Sequence, residues 1–103
     1  MTAIIALCAC PDEATAERIA AALVEERLAA CVNRIANVVS TYRWQGRLCR
    51  AEEQLLIVKA TRERFDALCE RIVALHPYEL PEVVALDVTA AHAPYLAWIE
   101  NPA

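Results

Sequence analysis

The chain has 103 residues but only one glycine, Gly46, one lysine, Lys59, and one serine, Ser40. A phosphate-cradling P-loop needs two glycines and a Gly-Lys-Ser/Thr run, and a dinucleotide fingerprint needs three glycines. Neither can be assembled from these residues. Ser40 stands in no Gly-x-Ser-x-Gly elbow, so a serine hydrolase of that kind is excluded. The five cysteines contain no Cys-x-x-Cys pair, which removes zinc-ribbon and thioredoxin-type readings. No apolar run approaches the roughly 18 residues of a membrane-spanning helix, so no membrane partner is expected. Ten basic residues stand against 14 acidic ones, giving a net charge of −4 and no basic stripe for nucleic acid. The start, Met1 to Cys8, lacks the basic stretch of a signal peptide, and an odd number of cysteines does not form a disulfide framework. The thiols therefore read as reduced and the location as cytoplasmic.

Apolar residues make up 58% of the chain, above the usual share of roughly 45–50% even after allowing for tyrosine. One domain over residues 1–103 is expected, with more apolar surface than so small a unit hides. The cheapest cover for such surface is another copy of the chain.

Hydrophobic patterning predicts the elements. Ile4 to Cys10 is a short apolar run that stops at Pro11 and reads as a buried strand. Pro11 to Ala30 reads as a helix, with proline at its first position and Asp12 and Glu13 against the positive end of the dipole. Cys31 to Trp44 is β-branched and aromatic, with Val38, Ser40, Tyr42 and Trp44 on one side. Gln45-Gly46 is a tight turn, and Leu48 to Ala60 returns as a second strand. Such arms are long for a globular hairpin. Thr61 is expected to cap a second helix, in which Phe65, Leu68, Cys69, Ile72 and Leu75 repeat at helical spacing. His76-Pro77 ends it. Glu82 to Thr89 reads as a fourth strand, and Pro94 opens a short final helix. The order is β-α-β-β-α-β plus a helix, which is the α+β ferredoxin-like sandwich: four strands with both main helices on one face. The other face is left bare in a single chain.

The stretches Cys8-Ala9-Cys10-Pro11-Asp12-Glu13-Ala14-Thr15-Ala16, Leu28-Ala29-Ala30-Cys31-Val32-Asn33, Tyr42-Arg43-Trp44-Gln45-Gly46, His76-Pro77-Tyr78-Glu79-Leu80-Pro81-Glu82 and Tyr95-Leu96-Ala97-Trp98-Ile99 resemble the CutA family of divalent-cation tolerance proteins. The match runs in order along nearly the whole chain. The resemblance implies a ferredoxin-like fold, a homotrimer in which long hairpins extend sheets across subunits, and a link to copper and other divalent ions. It implies no catalytic activity and no required cofactor. It matches Cys8 and His76 to the family's proposed copper ligands. The second histidine of that proposed site is replaced by Leu75, so the set is one ligand short.

The residues themselves leave choices open. Cys8 and Cys10, two apart on a strand, point to one face. A thiolate pair suits a soft ion and Cys with His suits Cu(II) or zinc, while the alternative, a small buried hydrophobe, weighs more for Cys10 than for Cys8. Lys59, Tyr78, Glu79 and Glu82 are candidates for a ligand pocket around the two prolines, and Lys59 can pair with either glutamate. Tyr42 and Trp44 read as interface packing, His92 as a surface residue, and Glu52-Glu53 as a solvated or subunit-pairing spot. A Cys8–His76 nucleophilic dyad is the weakest reading. Two functions follow: a trimeric, non-enzymatic metal-binding tolerance protein, or a trimeric regulatory module taking a small ligand between subunits, PII-like in architecture. The two-residue turn at Gln45-Gly46 leaves no long loop for nucleotide binding in the PII manner.

Overall fold

The computed structural model describes residues 2–102. Strand β1 (Ala3–Cys10) begins it. Ile4, Ala6, Cys8 and Cys10 are buried on one face of β1, and Ala3, Ile5, Leu7 and Ala9 alternate onto the other.

Helix α1 (Glu13–Glu25) is shorter than the predicted 11–30 span. Pro11 lies ahead of it rather than at its first position. The cap is Asp12, whose carboxylate accepts the Thr15 backbone N–H at 2.8 Å. That hydrogen bond holds the Asp12 carboxyl below its usual range. At the other end Arg27 takes the left-handed conformation, with φ of 60°. The Leu28 N–H then bonds the Leu23 carbonyl at 2.9 Å and the Arg27 N–H bonds Val24 at 3.1 Å. This is a Schellman closure. It was hidden because the left-handed residue is an arginine and not glycine.

Strands β2 (Cys31–Trp44) and β3 (Arg47–Thr61) form the predicted long hairpin of 14 and 15 residues. Gln45 and Gly46 turn with φ of 50° and 78°, the double positive φ that suits the strands' twist. A β-bulge between Ile35 and Val38 places two residues of β2 against one of β3, with Asn37 at φ 63°. The bulge shifts the alternation by one. Tyr42 and Trp44 therefore share the face of Cys31 and Asn33.

Thr61 does not cap the next helix. It closes β3 opposite Ala3 and makes no side-chain cap bond. A single 3₁₀ turn (Arg62–Arg64) leads into α2 (Phe65–Leu75). Strand β4 (Val84–Asp87) is half the predicted length, and α3 (Ala93–Glu100) follows. The sheet order is β2-β3-β1-β4 with antiparallel neighbours. This is the expected ferredoxin-like α+β arrangement.

The core lies between one sheet face and α1 and α2. Ile19 and Leu23 of α1 and Leu68 and Ile72 of α2 pack on Ile4, Ala6, Cys8, Cys10, Leu56 and Val58. On the opposite face Ile99 of α3 meets Ala3 and Ala30 at one end, and Tyr78 reaches the buried Glu53 toward the other. Beyond these contacts Ile35, Val84 and Leu86 remain 45%, 52% and 60% exposed.

Arg27 holds a positive φ of 60°, which in a residue with a Cβ carries a strain of about 1 kcal/mol. Arg27→Gly is expected to raise stability by roughly 0.5–1 kcal/mol, read as a higher urea midpoint at unchanged slope. A lower midpoint would show that the arginine side chain contributes more than its backbone costs.

Candidate metal centre

The end of β1 and the end of α2 meet at one point. Pro77 forces the residue before it into an extended conformation, so α2 stops at Leu75 and His76 leaves the helix with ψ of 136°. Its ring turns back onto β1, where Nε2 lies 2.8 Å from the Ala9 carbonyl. The other ring nitrogen, Nδ1, accepts the Tyr78 backbone N–H at 3.2 Å. An accepting Nδ1 leaves Nε2–H as the donor, so the imidazole is the neutral Nε2–H tautomer. Its place is structural as well as chemical. Pairing between β1 and β4 ends at Leu7–Val84, so the Ala9 carbonyl has no ladder partner on that side. His76 supplies the missing donor.

Cys8 and Cys10 lie beside this ring, with their Sγ atoms 4.0 Å apart. One donor atom from each of Cys8, Cys10 and His76 lies within 4.8 Å of the others, and all three residues are buried. The thiols share a hydrogen bond. It holds Cys10 below the ordinary thiol range and drives Cys8 well above it. Burial and the negative charge of Cys10, Glu82 and Glu53 add to the rise at Cys8. The pair thus gives up one proton far more readily than the second. Two soft sulfurs and one borderline nitrogen make a donor set that fits a thiophilic metal ion. Leu75, one residue before His76, packs against the same core cluster that contains the two cysteines.

A cleft of about 580 Å³ opens nearby, between the hairpin and the segment after α2. Tyr42, Trp44, Tyr78, Glu79 and Glu82 all line it. Lys59 does not join them: it lies with its Nζ 5.6 Å from the Tyr95 ring centroid, a cation–π contact with α3. Glu53, which the sequence offered as a solvated or subunit-pairing residue, is 7% exposed and lines the cleft. Tyr78 Oη donates to its Oε2 at 2.7 Å. The signal was present in the period-2 pattern, because Glu53 shares its face with Leu55 and Ile57. Cys31, Cys49 and Cys69 are half-buried and outside the cluster. His92 is exposed, ahead of α3.

Fold and site together define a small ferredoxin-like protein with a buried thiol–imidazole cluster and an uncovered sheet face. Residues 4–102 match the family described as CutA1 divalent ion tolerance protein. The chain belongs to that family. It is 50% identical over 97 residues to the divalent-cation tolerance protein CutA of Thermus thermophilus, covering 94% of each chain. Against Protein CutA of Mus musculus it is 44% identical over 92 residues, 89% of this chain, and spans about half of that longer protein (52%). A solved Thermus thermophilus divalent cation tolerance protein superposes with a TM-score of 0.94 at 48% identity, covering 95% of both chains. A solved Archaeoglobus fulgidus relative is described as a periplasmic divalent cation tolerance protein; it superposes at 0.91 with 33% identity over 94% of both chains. No helix among the described residues is long and apolar enough to cross a membrane.

Burial, then the hydrogen bond to Glu53 and its charge, raise the Tyr78 phenol above its ordinary value. In the unfolded chain a tyrosine ionises near pH 10. Above that pH the unfolded state holds fewer protons than the folded one, so stability falls as pH rises. The contribution is complete below about pH 10 and is lost above it. Tyr78→Phe is expected to flatten the decline in urea stability between about pH 10 and 11. An unchanged slope would show that Tyr78 ionises freely in the folded protein.

Proposed function

We propose that this chain is a cytoplasmic homotrimer that binds divalent metal ions, copper among them, and lowers their free concentration without catalysing a reaction. The observation that carries this reading is the meeting of Cys8 and His76, which lie far apart in sequence, at one buried point with soft and borderline donors. The family's tolerance to divalent ions is the physiological counterpart of such a centre. A reducing compartment suits it, because the donors must be thiols rather than disulfides. The trimer is supported by the resemblance seen in the sequence and by the bare apolar face, with Ile35, Val84 and Leu86 exposed. Interfaces of obligate oligomers bury roughly 2,000 Å² or more, and the hairpin arms of 14 and 15 residues are the extended surface available for one.

Titration calorimetry of the reduced protein with Cu(II) and Zn(II) under anaerobic conditions tests the metal. Cys8→Ala and His76→Gln are each expected to weaken binding at least about tenfold, one ligand's share. The glutamine keeps a donor for the Ala9 carbonyl, so the fold is preserved. Binding unchanged in both variants would place the ion elsewhere. A second reading is favoured by the cleft lined by Tyr42, Trp44 and Tyr78: a trimeric regulatory module holding a small ligand between subunits. Heat on titration with small anionic metabolites, and none with metals, would put that reading first.

Light scattering at micromolar concentration is expected to give about three times the 11.4 kDa chain mass. Trp44→Ala is expected to destabilise the assembly by at least about 2 kcal/mol, the scale of an interface anchor, seen as dissociation on dilution. A monomeric parent, or a variant that stays trimeric with the same melting temperature, would remove Trp44 from the interface.

A further inference from the structure

We propose that Cys10 completes the centre, making it a dithiolate–imidazole site, Cys8–Cys10–His76, for thiophilic divalent cations, zinc and cadmium among them. The proposal deepens the metal-binding reading and rests on it.

Distance is the first argument. The two Sγ atoms are 4.0 Å apart without any ion between them. Zinc–thiolate bonds are about 2.3 Å long, so an ion bonded to both sulfurs at this spacing subtends an S–metal–S angle of about 120°. That lies near the tetrahedral and trigonal angles and far from the straight line of a two-coordinate ion. The sulfurs need not move apart or together to receive a three- or four-coordinate metal.

Charge is the second argument. Both cysteines are fully enclosed, and the carboxylates of Glu53 and Glu82 are close enough to act on Cys8. A buried complex with net charge is costly in such surroundings. Two thiolates with a divalent cation and a neutral imidazole sum to zero. Two thiolates with a monovalent ion leave one negative charge beside the carboxylates. One thiolate with a divalent ion leaves one positive charge inside the core. Each thiol passes its proton to solvent as the ion enters, so binding releases two protons per metal.

The third argument is the support around the imidazole. His76 is held by Ala9 on one ring nitrogen and by the Tyr78 N–H on the other. Backbone tethers of this kind set the orientation of a ligating histidine. One of the two bonds is exchanged for the metal bond, and the other remains to hold the ring.

The test is an anaerobic titration of the reduced protein with Cd(II), followed by thiolate-to-metal charge-transfer absorption. Zn(II) is measured by competition with a chromophoric chelator. The Cys8→Ala/Cys10→Ala double variant sets the background from the other three cysteines. The expected result is one Cd(II) per chain, with Cys10→Ala halving the absorption per bound ion and weakening Cd(II) and Zn(II) at least 100-fold. If Cys10→Ala binds both ions with parental affinity and absorption, Cys10 is a packing residue and this proposal falls, while metal binding through Cys8 and His76 stands. If Cys8→Ala is also indistinguishable from the parent, the metal-binding reading falls with it. X-ray absorption of the Cd(II)-loaded parent decides the matter even if the variants fail to fold. Two sulfur neighbours support the site, and one or none overturns it.

Discussion

The Ala9 carbonyl and the His76 ring that satisfies it hold the functional end of this molecule together. A strand in mid-sheet must find partners for its backbone on both edges. β1 has β3 along its whole length, but β4 accompanies it only from Ile4 to Leu7. Where β4 stops, a side chain from the end of α2 takes over. Pro77 ends α2, and that one bond then aims the segment that carries Tyr78 and brings an imidazole to the two thiols. Tyr78 in turn reaches Glu53 and keeps a nearly buried carboxylate hydrogen-bonded. The His76 and Tyr78 rings, 4.6 Å apart at their centroids, pack together as the segment turns.

The same sheet is treated unequally on its two faces. Both long helices cover one, while on the other a short helix covers one end and Tyr78 reaches Glu53 toward the far end. The hairpin runs far beyond either layer, and the chain is 44 Å long against 25 and 23 Å across. Strand arms of this length have no core of their own to fold on. Tyr42 and Trp44 lie exposed along this face, in the wall of the cleft.

The thiol cluster shows how one set of atoms serves two purposes. Cys8 and Cys10 are core residues by burial, packed with Leu56, Leu68 and Ile72. Their proximity to each other and to His76 is what a metal would require. A leucine at either position would fill the core, yet it would not share a proton or release one. Lys59 is the contrasting case. It is the only lysine in the chain and was a natural partner for Glu79 or Glu82, but it stands near the far end of β3, on the same face as Glu53, against Tyr95.

Periodicity along the chain determined a good deal. The hairpin boundaries, the turn at Gln45-Gly46, the apolar stripe of α2 and the bare sheet face were all legible, because each rests on local alternation or on glycine's freedom at one turn. Cys8 and Cys10 could be placed on one face for the same reason. What the sequence could not show depends on contacts between distant segments or on backbone states that many residues can adopt. Arg27 closes α1 in a left-handed conformation that its identity does not announce. Thr61, a good cap by chemistry, is held in β3 by its pairing with Ala3. The burial of Glu53 and the placement of His76 against Ala9 are decided by tertiary structure alone, since a hydrogen bond between the ends of β1 and α2 leaves no trace in the pattern of either.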